Sequence, residues 1–406
     1  MNPPATLSQA VSSAALDESV LLDWSQTGCE PMAVVSPSDT EECAQLMAWA
    51  STEGVGVLPV GAGSLLQSVD AERSWVALST HRLRAIHAYE AADLTLTAGA
   101  GASMHVIDAA LRENQQWAPF DSPRIAKGTL GGLVSVGWSG PLWSGYGELR
   151  NHVLGATLVT GDGRVLSLGG RVVKNVAGFD ALKLTVGGRG AFGVITSVCV
   201  RAFPEPAVDR LLVLAASTIG ELAGAAQKAA TAPIVPASLA LVDQLPGSDT
   251  AGMVVRLHGA KSTVDADQRS LEAHLSVPLA EVPWSGDFLA SVADRGCDST
   301  VVVRVSTLPS RLPGLCSMLE GQSISGLLLD AYGARGRIAF ESDEAAVAAD
   351  LGRVVTELGG ALSIERAPSD SPVWALESRG SAGERMLADR LHRVFDPAEV
   401  MWPTHS

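Results

Sequence analysis

Gly128-Thr129-Leu130-Gly131-Gly132-Leu133-Val134-Ser135-Val136-Gly137-Trp138-Ser139-Gly140-Pro141 is the stretch on which the fold turns. Small and hydroxylated residues punctuate one face of an otherwise apolar run. Such a pattern lets main chain lie directly against a flat ligand. Taken alone it reads equally as a glycine-rich crossing of the core. Upstream stands a second loop of the same kind, Pro59-Val60-Gly61-Ala62-Gly63-Ser64, which closes the apolar run Val55–Val60. Its small residues let N–H groups approach an anion, and its glycines permit the positive φ of a nest. A plain tight turn after a buried strand explains that loop as well.

A third segment, Gly188-Arg189-Gly190-Ala191-Phe192-Gly193, fits G-x-G-x-x-G letter for letter. In a dinucleotide fingerprint the last glycine opens a helix, whose N-terminus holds the pyrophosphate. Here it opens Val194-Ile195-Thr196-Ser197-Val198, a β-rich run, so the helix dipole is missing. Gly99-Ala100-Gly101 does precede a helical pattern, but Met104 takes the third glycine's place, and a strand-to-helix turn accounts for it.

The surrounding chain bounds what these loops serve. Its 406 residues suggest two or three domains. With 47% hydrophobic and 18% charged residues it is a globular sequence, not a disordered one. Lys and Arg number 29 against 44 Asp and Glu, a net charge of −15 that repels nucleic acid and anionic membranes. An anionic ligand therefore needs local N–H groups or a few placed cations. No apolar run is long enough to span a membrane, and Met1 to Val20 does not read as a signal peptide. Cys29, Cys43, Cys199, Cys297 and Cys316 are scattered with no C-x-x-C pair. That argues against a disulfide framework and against a zinc or iron–sulfur site built by this chain alone, and it fits reduced thiols in a cytoplasmic setting.

Periodicity predicts a helix over about 39–53, capped by Ser36 or Ser38, with Cys43, Leu46, Met47 and Ala50 on one stripe. Strands are expected near 75–78 and 94–98, then a helix capped by Ser103. Gly161-Asp162-Gly163 between Val153–Val159 and Val165–Leu168 predicts a β-hairpin. A strand follows over 194–203, and Pro204-Glu205-Pro206 marks a boundary. Beyond it the order strand, helix, strand, strand, helix occurs twice, at 211–275 and at 301–358. Two βαββα units imply an antiparallel sheet covered by helices on one face. A last helix is expected over about 384–394.

With Ser139-Gly140-Pro141, Leu149-Arg150-Asn151-His152-Val153-Leu154-Gly155 and Val173-Lys174-Asn175-Val176-Ala177-Gly178-Phe179-Asp180 added, the two glycine loops resemble the FAD-binding domain of the vanillyl-alcohol-oxidase/PCMH flavoproteins. Within them the chain is similar to the glycolate oxidase group, above all its accessory FAD-binding (GlcE-like) subunit. The resemblance implies an α+β fold. A short N-terminal segment (1–27) precedes a two-subdomain PCMH-type FAD-binding domain (28–206), followed by a cap domain (207–406) built on the antiparallel sheet. It implies FAD contacts from Val60, Gly61, Ala62, Gly63 and Ser64 to the pyrophosphate. Thr129, Gly131, Gly132, Ser135, Ser139 and Gly140 would line the cofactor, with Asp121 in a contacting loop and Gly193, Val194 and Ile195 at the adenine end. No His or Cys occurs between Pro59 and Gln67, so the FAD is expected to be noncovalent. Near the end Phe395-Asp396-Pro397 is shared, but Met401-Trp402-Pro403-Thr404 replaces the family's Asn-Pro-Gly.

The catalytic glycolate oxidase subunit resembles a metal-assisted case, with HxGDGNxH in its cap. This chain's eight histidines are isolated, and the comparable part of its cap reads Gly333-Ala334-Arg335-Gly336-Arg337-Ile338. Metal ligands are therefore not expected. Arg335 and Arg337 suit either a substrate carboxylate or an ion-pair network, and His258 reads as a sheet residue. Lys174 and Arg171 are candidates for charge near the cofactor or for loop anchors. Trp138 and Trp143 suit a subunit interface or a cover over the flavin. Three functions stay open. The first is an electron-handling FAD subunit of a glycolate (2-hydroxy acid) dehydrogenase complex, cytoplasmic or membrane-associated through its partners, a catalytic FAD subunit and an iron–sulfur subunit. The second is a stand-alone FAD oxidoreductase of a small hydroxy acid or alcohol, and the third a scaffold with a vestigial site.

Overall fold

The computed structural model describes residues 7, 16, 17, 22, 24–64, 66, 73–121, 124–170, 180–283, 285–341, 351–353, 355–368, 371–376 and 381–402. Its first layer is a parallel sheet in which Val34–Val35 and Gly56–Val60 flank Trp75–Ser79. The helix Thr40–Glu53 covers it, and Cys43, Leu46, Met47 and Ala50 are its buried stripe, as the period implied. Burying a side chain such as Leu46 or Met47 contributes about 2 kcal/mol. The cap differs from expectation. Asp39, not Ser36 or Ser38, accepts from the Glu42 N–H at 2.8 Å. Ser36 is fully buried, and Ser38 instead donates its own N–H to the Glu42 carboxylate at 2.8 Å. Gly54 ends the helix at φ 67°, a conformation that costs glycine little.

The second layer is a five-stranded antiparallel sheet. Its spatial order is Ile86–Glu90, Thr95–Gly99, Val194–Arg201, Val153–Val159, Val165–Gly169. The Asp-Gly hairpin forms as expected, with Val159 paired to Val165 and Gly163 at φ 84°. Val194–Arg201 is the central strand, so the G-x-G-x-x-G segment does feed a strand and not a helix. Helices Met104–Arg112, capped by Ser103, and Leu130–Val136, capped by Thr129, pack onto this sheet around Leu96, Ile107, Leu130, Val134 and Val198. The strand Ile86–Glu90 was not anticipated. It is an edge strand with no fully buried residue, so its sequence lacks the apolar signal.

Phe203–Pro204 pairs with Gln116–Trp117, and Val208–Ala216 then begins an eight-stranded sheet. The first unit runs Val208–Ala216, helix Ile219–Ala229, Ser238–Val242, Ala251–Gly259, helix Lys261–Leu275. The second runs Val301–Ser306, helix Leu312–Leu319, Gly326–Asp330, Arg335–Phe340, and a helical stretch whose described residues are 351–353 and 355–357. Each unit gains a fourth strand that the pattern did not reveal, Ala280–Val282 in one and Ala361–Arg366 in the other. Ala280–Val282 carries no buried residue, so its place in the sheet depends on pairing and not on composition. Each unit is thus a split βαβ, with strands ordered fourth, first, third, second. The two units join edge to edge where Leu241 pairs with Leu329. The helices Ile219–Ala229, Lys261–Leu275 and Leu312–Leu319 cover one face of the sheet, around Leu239, Met253, Val303, Leu315 and Ile338, and the helix Gly286–Ala293 packs on the other face against Leu211, Val213, Ala240 and Val254. The opposite face turns towards the FAD-side sheets.

After the helix Ala382–Phe395, which Ser381 and Glu384 open with a capping box, the chain returns to the first layer. Phe395 meets Phe192 edge-on at 5.6 Å. The fully buried Asp396 carboxylate accepts from Val400 and Met401 N–H at 3.0 and 2.7 Å. Met401 bridges to Val57, and the Trp402 ring lies against Gly56.

Candidate cofactor site

The strand Gly56–Val60 delivers the first glycine loop to the N-terminus of the helix Leu130–Val136. A Cβ on Gly61 would strike Thr129 Oγ1 and lie 3.8 Å from Gly132 Cα. The loops therefore converge, and only a bare Cα fits between them. They present different surfaces. Among the described residues no group accepts a hydrogen bond from the main-chain N–H of Gly61, Ala62, Gly63 or Ser64. In the second loop Leu130 N donates to Ala102 O at 2.9 Å, Gly131 N to Ala100 O at 2.7 Å and Gly132 N to Thr129 Oγ1 at 3.2 Å. The first loop thus offers free donors to an anion. The second offers close-packed backbone to a flat surface. Both fit a dinucleotide with a diphosphate bridge.

Asp121 shapes the next part. Its carboxylate accepts from Gly140 N at 3.0 Å and Leu142 N at 2.6 Å, folding the Ser139-Gly140-Pro141 turn over itself. Burial raises its pKa to about 6, against the pull of those N–H groups and of Arg256. Ser139 Oγ accepts from Leu149 N at 2.9 Å. Asp121 and Ser139 line a small cavity with Phe120, Trp138, Trp143 and Leu149. The Ser135 carbonyl accepts from Arg189 N at 2.8 Å. Gly193 sits at φ 139° against the Val159 carbonyl, and Val194 and Ile195 are buried in the sheet cores. This last group lies at the entry of the central strand. Leu65, Ser122, Pro123, Arg171 and Lys174 lie outside the described residues.

The cap's inward face carries an apolar cluster around Leu211, Ala240 and Val254 and, beside it, a set of charged residues. Alternation along its strands places Arg256 and His258, Asp330, Arg335 and Arg337, Arg304 and Glu365 opposite the helix side. Arg335 stacks on Trp143 at 3.7 Å and pairs with Glu148 at 3.0 Å. Arg304 lies over Trp138 at 4.7 Å, 3.5 Å from Glu365, and burial lowers its pKa to about 10. The two tryptophans therefore carry cap arginines of the same chain, a role the sequence reading did not weigh. Arg337 pairs with Glu365 at 3.1 Å with both side chains buried, so of its two readings the ion-pair network is the one realised. Ser144 Oγ donates to Asp330, whose pKa burial raises to about 6.

His258 is the sheet residue expected, in the strand Ala251–Gly259, with a partner on each ring nitrogen. Its Nδ1 shares a hydrogen bond with the Tyr146 hydroxyl at 2.8 Å, and its Nε2 is 3.1 Å from Asp209. Arg256 holds Asp209 through two bonds at 2.8 and 2.5 Å. Burial alone would raise the Asp209 pKa, but Arg256 and His258 hold it below the usual range. Trp117 and Phe203 complete an aromatic box around Tyr146, at 5.2 and 5.4 Å. Nothing in the local sequence marks the Tyr146–His258 pair, because its members belong to different layers.

Two apposed glycine loops, one with free N–H groups, lie beneath a capping sheet in a mixed helix-and-sheet fold of the PCMH FAD-binding type. Residues 31–169 match the FAD-binding domain family, and FAD is the cofactor that this domain holds. Among curated proteins the chain is 28% identical to the glycolate oxidase subunit GlcD of Bacillus subtilis over 60% of this chain and 55% of that protein. It is 39% identical to the glycolate oxidase subunit GlcE of Escherichia coli over 30% of this chain and 35% of that protein. It is 32% identical to the D-lactate dehydrogenase of Archaeoglobus fulgidus over 43% of this chain and 40% of that protein. The aligned parts thus span only a third to just over half of these relatives. Among solved structures, alkyldihydroxyacetonephosphate synthase superposes with a TM-score of 0.70 at 17% identity, covering 91% of this chain and 75% of that one. That likeness concerns the fold alone. Among the described residues no helix is long and apolar enough to cross a membrane.

Proposed function

We propose that the chain is an FAD-dependent oxidoreductase of the 2-hydroxy acid dehydrogenase type, acting as the flavin-bearing, electron-handling subunit of a glycolate-oxidase-like complex. Residues 28–206 hold noncovalent FAD and residues 207–406 cap it. When bound, FAD supplies a two-electron acceptor that can return electrons singly. The observation that supports the subunit role is the state of the cap face. Arg256, Arg335 and Arg337 are each tied to an acid of the same chain, Asp209, Glu148 and Glu365, and Arg304 shares Glu365. A substrate carboxylate would have to displace one of these pairs. The partners are then a catalytic FAD subunit, which receives the small 2-hydroxy acid, and an iron–sulfur subunit that carries electrons onward.

The D-lactate dehydrogenase similarity supports a second reading, a stand-alone oxidoreductase. Anaerobic titration of the purified chain separates the two. The subunit reading expects a flavin spectrum that glycolate and D-lactate leave oxidised until the co-purifying partners are added. Bleaching by either acid in the chain alone favours the second reading. A chain that purifies without flavin and takes up none refutes both and leaves the scaffold.

A further inference from the structure

We propose that Arg124 is a positioning residue of the cofactor site that ties the diphosphate loop to the cap, so that FAD binding and cap docking reinforce each other. The proposal rests on the FAD-binding reading of residues 61–64. One guanidinium touches two distant segments. Nη1 donates to the Ser64 carbonyl at 2.9 Å, on the loop with free N–H groups. Nη2 donates to the Cys297 carbonyl at 2.5 Å and to Asp298 Oδ1 at 2.6 Å, both on the cap. The side chain is 17% exposed, whereas the Asp298 side chain is 99% exposed. The cation is therefore largely enclosed where the segments meet, and its carboxylate partner is the part left in water.

The backbone is arranged to aim this side chain. Arg124 adopts φ 55°, in the left-handed region that residues with a Cβ avoid. Its N–H donates to Asp294 Oδ1 at 2.5 Å, so the cap itself holds the conformation. Arginine suits the task because its planar fork serves two carbonyls and a carboxylate at once, which a lysine ammonium on a flexible stem does not. In a chain of net charge −15, a cation fixed at the end of the loop also favours a dianionic bridge on that loop. Anything that fixes Ser64 thereby fixes Arg124, and through it residues 294–298. Coupling of this kind is reciprocal.

The test uses the whole chain stripped of flavin, with FAD as the probe. Flavin fluorescence quenching gives the FAD Kd, and hydrogen exchange follows the amides of residues 295–299 with and without FAD. In the wild type FAD is expected to slow exchange there. Arg124→Met is expected to weaken FAD binding about ten-fold, within the usual range for coupled sites, and to abolish that slowing. Should Arg124→Met fail to fold, Arg124→Lys keeps the charge without the fork and is expected to lose the slowing as well. Wild-type slowing that persists in the folded variant, or an unchanged Kd, overturns the proposal and leaves the FAD reading intact. A wild type that binds no FAD overturns both.

Discussion

Gly61 places its Cα against the hydroxyl of Thr129, so that a single methyl group on Gly61 has no room beside the residue that caps the helix Leu130–Val136. Two segments far apart in the chain close on each other at this contact. It orders a loop of free donors over the start of a helix.

Gly61→Ala should therefore force Thr129 out of its cap bond to Gly132. The lost cap and the overpacking together cost about 1–3 kcal/mol, read as a lower thermal midpoint and reduced flavin content. Adding Thr129→Ala should recover part of the flavin content, because it removes the atom that clashes. A double variant worse than the sum of the singles would contradict the contact.

The flavin itself should leave on denaturation. No cysteine or histidine stands in Pro59–Gln67 to form a covalent bond to the ring. After acid precipitation the yellow colour should appear entirely in the supernatant, and a flavin-fluorescent band on a denaturing gel would refute this.

Trp143 and Arg335 should prove coupled. A guanidinium 3.7 Å from the ring centre, with Glu148 behind it, is worth about 1 kcal/mol beyond the separate side chains. A double-mutant cycle of Trp143→Ala and Arg335→Ala in denaturant unfolding should show that interaction energy. Strict additivity would mean that the stack does not hold the cap.

Asp330 makes stability depend on pH in a definite direction. Its folded pKa of about 6 lies above the ordinary 3.8 because burial disfavours the carboxylate. The folded state then binds more protons than the unfolded state between those values, so stability falls as pH rises through that window. Across the whole window the loss amounts to about 3 kcal/mol. Asp330→Asn has no such dependence. Its thermal midpoint should rise relative to the wild type between pH 4.5 and pH 7.5, and a constant difference would show that Asp330 is already ionised at low pH.

Much of this molecule was legible in its sequence. The stripe Cys43, Leu46, Met47, Ala50 lies inward, the Asp-Gly turn makes a hairpin, and the strand after Gly193 excludes a Rossmann site. These are local facts, set by side-chain period and by glycine's backbone freedom. The repeated strand–helix pattern of the cap was visible for the same reason. What escaped were edge strands such as Ile86–Glu90 and Ala280–Val282, whose hydrogen bonds come from a neighbour and leave no mark on their own residues. The helix cap was misassigned because Ser36, Ser38 and Asp39 are all competent, and only the Glu42 geometry chooses among them.

The sequence by itself determined an α+β chain and an antiparallel cap, because each of these is written in patterns a few residues long, while its glycine loops read as an FAD-binding domain only through their resemblance to a known family. Tertiary structure alone decided how the layers meet. Arg335 met Trp143 and Glu148, Tyr146 met His258, and Arg124 met both Ser64 and Asp298. Each of these meetings joins side chains from separate segments, and a charge finds its partner through space, at a distance that no order of residues along the chain records.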